Sequence, residues 1–239
     1  MLFRQLFDPA TSTYTYLLAD EETKEAILID SVFEQVDRDR QLILELGLNL
    51  RYLMDTHIHA DHVTGAGELR QQLGANSVIA KSADVDCADI LVEEGDRLSF
   101  GSHEVEILNT PGHTDTCLTF VVLDGDDVYA FTGDALFVRG CGRTDFQMGD
   151  SSKLFHSVRD KIFALPENTN IFPAHDYRGF NQTTVWEEKK YNPRLNLSID
   201  KAGFIETMAN LKLADPKQID IAVPANLKCG RKAAAVQMV

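Results

Sequence analysis

A chain of 239 residues that is 44% hydrophobic can bury one large core without covalent staples. Its 37 acidic residues outnumber 23 basic ones, leaving a net charge of −14, which argues against nucleic acid and against an anionic membrane surface. No apolar run approaches the ~18 residues of a membrane span, and MLFRQLFDPATS has no leader pattern, so the expected setting is cytoplasmic and reducing.

The first 30 residues read as strands: 13–19 (TYTYLLA) alternates, and 25–30 (EAILID) is an apolar run closed by an acid. Residues 34–46 carry helical periodicity through Val36, Leu42, Ile43 and Leu46 and stop at Gly47. A short strand, 51–56, leads into DTHIHADH, and 67–73 then reads as a helix ended by Gly74. Strands follow at 77–80, 97–100, 103–109, 117–123 and 128–132. A helix is expected over 151–163 with Ser151 or Ser152 as N-cap, and a last strand over 170–173. Beyond Thr183 the texture is helical, most clearly over 201–211, with Pro193, Pro216 and Pro224 as punctuation. Two groups of strands with interspersed helices suggest two sheets between helical layers. The four cysteines, Cys87, Cys117, Cys141 and Cys229, form no CxxC pair and no regular spacing, so no disulfide is expected.

Each cluster of metal-type residues opens a loop after a predicted strand. His57, His59, Asp61 and His62 follow the strand at 51–56; His113 lies in NTPGHTDTC, Asp134 in FTGDALF and His175 in IFPAHDY. Loops held by a rigid sheet are where reactive groups are usually presented. Imidazole nitrogen and carboxylate oxygen suit zinc, iron or manganese, and the lack of thiolates argues against structural zinc. His103, in a polar strand, and His156, on a helix face, read as ordinary surface residues.

The order H-x-H-x-D-H, P-G-H-T, T-G-D and a late lone histidine resembles the metallo-β-lactamase superfamily. That resemblance implies an α/β fold, a four-layer αββα sandwich, over residues 1–180, with a short C-terminal helical appendage over 181–239 packed on the same domain. RGCGRTDFQ at 139–147, HDYRGF at 175–180, NPRL at 192–195 and IDIAVPANLKCG at 219–230 resemble the persulfide dioxygenase family. The resemblance implies one Fe(II) per chain on His57, His113 and Asp134, with glutathione persulfide, O2 and water giving sulfite and glutathione. His59, Asp61, His62 and His175 then orient ligands and open-site water, or hold a second metal. Arg143 is proposed for a glutathione carboxylate, Asp145 for its amine or for holding Arg143, and Tyr177 as a hydroxyl donor near the thiol; Arg143 and Asp145 also read as a local ion pair. Cys229 reads as a lone, inert cysteine. The family is often a homodimer. The alternative is a glyoxalase II-like thioester hydrolase with one or two metals, disfavoured by the GRTDFQ loop and the short C-terminus.

Overall fold

The computed structural model describes residues 1–214 and 216–230. Its first half holds β1 (Leu2–Asp8), β2 (Thr13–Ala19), β3 (Glu25–Ile29), α1 (Val36–Glu45), β4 (Asn49–Met54), α2 (Ala66–Leu73), β5 (Asn76–Ala80) and β6 (Ile90–Val92). Its second half holds β7 (Arg97–Phe100), β8 (His103–Asn109), β9 (Leu118–Asp124), β10 (Asp127–Gly133), α3 (Ser151–His156), β11 (Asn170–Pro173), β12 (Thr183–Thr184), α4 (Val185–Tyr191), α5 (Lys201–Ala209) and α6 (Ile219–Asn226).

Two six-stranded mixed sheets result, ordered β1-β2-β3-β4-β5-β6 and β12-β11-β10-β9-β8-β7. Side-chain alternation decides what each strand faces. From β2, Tyr14, Tyr16 and Leu18 point between the sheets, while Leu17 and Ala19 meet Val36, Ile43, Ala66 and Leu69 of α1 and α2. From β9, Leu118, Phe120 and Val122 enter the same inter-sheet core, and Val121 faces the helices of the other side. There Leu154 of α3, Val185 of α4 and Phe204 of α5 cover the second sheet. The layers are therefore helix, sheet, sheet, helix, as the sequence implied. Tyr16, Phe100, Phe120 and Phe131 are fully buried between the sheets, and burying each such ring contributes roughly 1.5–3 kcal/mol.

Three expectations are corrected. Asp150, not Ser151 or Ser152, caps α3 by accepting from the Lys153 amide, because the Ser151 hydroxyl is taken by Thr144. The helix also loses α regularity after His156, giving a π turn over Ser157–Lys161 and a 3-10 turn over Ile162–Ala164. Tertiary tethers override local periodicity there: Ser157 donates to the Pro111 carbonyl, and Arg159 donates to the carbonyls of Asn196 and Ile199. Pro224, read from the sequence as punctuation, lies inside α6, in the last turn of an eight-residue helix.

The cysteine expectation also fails. Cys87 and Cys229, 142 residues apart, form a disulfide, so Cys229 is not a lone thiol. Tertiary packing causes this, since the segment after α6 returns across α2. Gly67 admits that segment: a Cβ there would lie 2.4 Å from the Cys229 carbonyl oxygen. Cys117 and Cys141 remain free and buried.

Candidate metal centre

Four strand ends deliver the polar groups: β4 leads to His57, the β8–β9 turn holds His113, β10 leads to Asp134 and β11 to His175. Gly133, before Asp134, takes a φ of 52°, and a Cβ there would meet Thr56 Oγ1 at 2.7 Å. Gly112 (φ 141°) likewise lets the turn carrying His113 press against the backbone of Leu154.

Two trios form. The ligand atoms of His57, His113 and Asp134 all lie within 4.8 Å of one another, as do those of His59, Asp61 and His175. His113 Nε2 is 3.4 Å from Asp134 Oδ2, and His175 Nε2 is 3.6 Å from both Asp134 Oδ1 and Asp61 Oδ2, so Asp134 and His175 sit where the trios meet. His113 Nδ1–H donates to the Arg143 carbonyl at 2.6 Å, which turns the Nε2 lone pair toward Asp134. His62 belongs to neither trio; its Nδ1 is 2.9 Å from Asp61 Oδ2. Asp134 Oδ1, His59 Nδ1 and His62 Nε2 are buried without a hydrogen-bond partner. Buried polar atoms are rarely left so, and two of these three belong to the trios, as expected of donors arranged for a cation.

Electrostatics keeps two of the histidine rings, His57 and His59, unprotonated. Burial, then neighbouring His59, holds His57 well below the usual histidine range; burial, then His62, does the same for His59. Both rings are therefore neutral near pH 7. Burial pushes Asp61 upward, but His62 and His175 outweigh it and hold the carboxyl well below its usual range. Burial pushes the Cys117 thiol up to about 12 and the Cys141 thiol up to about 11, so neither is a thiolate donor. His103 and His156 lie apart from the cluster, and His156 pairs with Asp160 on the surface.

A cavity of about 540 Å³ adjoins the trios, its walls including Asp61, His113, Asp134 and His175. Arg139, Arg143, Arg178 and Arg194 also line it, with Arg139 paired to Glu188, Arg143 to Asp145 and Arg178 to Asp176. Of the residues singled out for substrate, Arg143 and Tyr177 are on the wall and Asp145 is not. Asp145 instead grips Arg143 through two bonds of 2.6 and 2.7 Å. Tyr177 stacks on His175 with ring centroids 6.1 Å apart. Arg139, Arg178 and Arg194 carried no sequence signal beyond lying in or beside the family motifs. Asn226 was also missed. Its amide donates to the carbonyls of His59 and His62, and its carbonyl oxygen accepts from the Thr64 amide, each at 2.9 Å.

The sequence matches the family model described as the metallo-beta-lactamase superfamily over residues 8–175. The chain belongs to that superfamily. Within it, a mouse protein named persulfide dioxygenase ETHE1, mitochondrial, is 54% identical over 231 residues, spanning 96% of this chain and 89% of its own. The human protein of that name is 53% identical with the same coverage. The crystal structure of ETHE1 from Myxococcus xanthus superposes with a TM-score of 0.92 at 48% identity, covering 97% of this chain and all of that one. The chain is thus a member of the persulfide dioxygenase family. A less similar crystal structure, that of TTHA1623 in a di-iron-bound form, is 28% identical with a TM-score of 0.65, covering 82% of this chain and all of that one. Metal binding accords with the donor set of this superfamily member; no helix among its described residues is long and apolar enough to cross a membrane.

Proposed function

We propose that this chain oxidises glutathione persulfide with O2 and water, releasing glutathione and sulfite, at one Fe(II) per chain held by His57, His113 and Asp134. The observation that carries the reading is the trio itself: two imidazoles and one carboxylate converge beside an arginine-lined cavity, in a chain 54% identical to a persulfide dioxygenase. Ferrous iron on two histidines and a carboxylate keeps coordination positions open and supplies the redox chemistry between O2 and a persulfide sulfur.

The chain's own residues bind and orient. Arg143, fixed by Asp145 and by the Ala214 carbonyl, offers a cation to a glutathione carboxylate. Asp145 serves by holding that arginine. Tyr177, on the wall beside His175, offers its hydroxyl toward the thiol end. His59, Asp61, His62 and His175 orient the centre, with His62 bound to Asp61 and turned out of both trios.

One observation favours a second reading. The intact trio of His59, Asp61 and His175 suits a second ion, as a glyoxalase II-like thioester hydrolase would use. Anaerobic purification with metal counting decides between them. About one iron per chain with persulfide-dependent O2 uptake is expected; two metals with cleavage of S-lactoylglutathione and no O2 uptake overturns the proposal. Asp134→Ala should lose the iron and His103→Ala should keep it. The cytoplasmic setting, drawn from the sequence, and a homodimer, implied only by the family resemblance, belong to the same proposal, although the mouse and human relatives are named mitochondrial.

A further inference from the structure

Asp30 follows β3 at a φ of 52°, and its carboxylate is buried behind the two trios. Three donors converge on it. The Thr56 amide reaches Oδ1 at 2.7 Å, the Thr56 hydroxyl reaches Oδ2 at 2.9 Å, and His59 Nε2 reaches Oδ1 at 3.1 Å. The same Thr56 hydroxyl lies 3.0 Å from His57 Nδ1.

Counting protons fixes the roles. A carboxylate accepts only, and a hydroxyl has a single proton to give. The Thr56 proton is committed to Asp30, so the hydroxyl oxygen meets His57 as an acceptor. His57 must then carry its proton on Nδ1 and its lone pair on Nε2. His59 gives its Nε2 proton to Asp30, which leaves the lone pair on Nδ1. That nitrogen is buried, has no hydrogen-bond partner and lies 3.8 Å from Asp61 Oδ1.

We propose that Asp30 is a positioning residue that sets the tautomers of both His57 and His59, directly on one ring and through Thr56 on the other, so that His57 offers Nε2 to the metal site while His59 keeps a bare Nδ1 facing Asp61. This rests on the reading of His57 as a ligand. Gly133 belongs to the same device, since a side chain there would displace Thr56. A carboxylate that merely braced the end of β3 would tolerate an amide of equal size. The relay does not: the amide nitrogen of an Asp30→Asn variant donates to Thr56, the hydroxyl proton swings to His57 Nδ1, and the ring proton is driven onto Nε2.

The test uses the full chain. Long-range 15N–1H spectra of the metal-free protein should show His57 protonated at Nδ1 and His59 at Nε2; the reverse pattern for His57 overturns the proposal. Anaerobic Fe(II) titration should show Asp30→Asn and Thr56→Val binding about 10–100-fold more weakly, the usual range for partners that orient a ligand. Thr56→Ser should restore affinity to within about twofold, because it keeps the hydroxyl. Circular dichroism checks that each variant folds. If Asp30→Asn does not, the Thr56 pair still decides: wild-type affinity in Thr56→Val, or no rescue in Thr56→Ser, ends the proposal. The spectra test the tautomers without any metal, whereas unaltered Fe(II) affinity in His57→Ala overturns the ligand reading and the purpose assigned to the relay.

Discussion

Asp145 reaches the cavity only through Arg143, and that sets what its loss should do. An exposed ion pair contributes ~0.2–1 kcal/mol, so Asp145→Ala should leave the melting temperature almost unchanged. Releasing the guanidinium should raise KM for glutathione persulfide by up to about fivefold, with kcat within about twofold. A fall in kcat at unchanged KM would place Asp145 in the chemistry instead. Single residues also show what the sequence could disclose. The clustering of histidines with Asp61 and Asp134 was legible because histidines are scarce and each group follows a strand end, whereas singling out His57, His113 and Asp134 rested on the family resemblance. Asp30 was not, since an acid closing an apolar strand looks like any turn residue. Arg139, Arg178 and Arg194 were not, because isolated arginines in polar loops have no period; only folding gathers them on one wall.

At the scale of elements, α1 carries an internal tension. Asp39 lies on its buried face, one carboxylate oxygen bonded to Arg38 and the other without a partner. Burial pushes its carboxyl up to about 6, with Arg38 opposing. The folded chain thus keeps a proton that the unfolded chain releases near pH 4, so stability falls as pH rises from about 4 to about 6 and stays lower above that. The cost is on the order of 2–3 kcal/mol. Asp39→Asn should flatten that fall and be the more stable protein at pH 8, as read by urea midpoints across pH. Parallel midpoint curves for the two proteins would show that Asp39 ionises freely. Strands were read closely because alternation is imposed by the two cores they separate: β2, β7, β8 and β11 match their expected bounds. α3 was read too long because its unwinding is caused by Pro111, Asn196 and Ile199, which lie far away in sequence.

Across the whole molecule, the Cys87–Cys229 bond closes a loop of 142 residues. Loop closure of that length restricts the unfolded chain by roughly 2–5 kcal/mol. A thiol reductant should therefore lower the melting temperature of the wild-type chain and leave Cys87→Ser, already lowered, unmoved; equal responses would mean the bond carries no stability. Spacing alone could not announce this pair, because chain topology brings the two cysteines together. The layered architecture was legible at this scale, since element order and turn placement fix it.

Asn226 binds the carbonyls of His59 and His62 across 167 and 164 residues. During synthesis, then, the histidine loop leaves the ribosome long before the amide that pins it. Every proposed ligand is already outside the exit tunnel before Asn226 emerges, so the centre reaches its final geometry only once that residue has left the ribosome. A nonsense codon a few positions upstream of Asn226 would leave all the donors in place and remove the brace that shapes them.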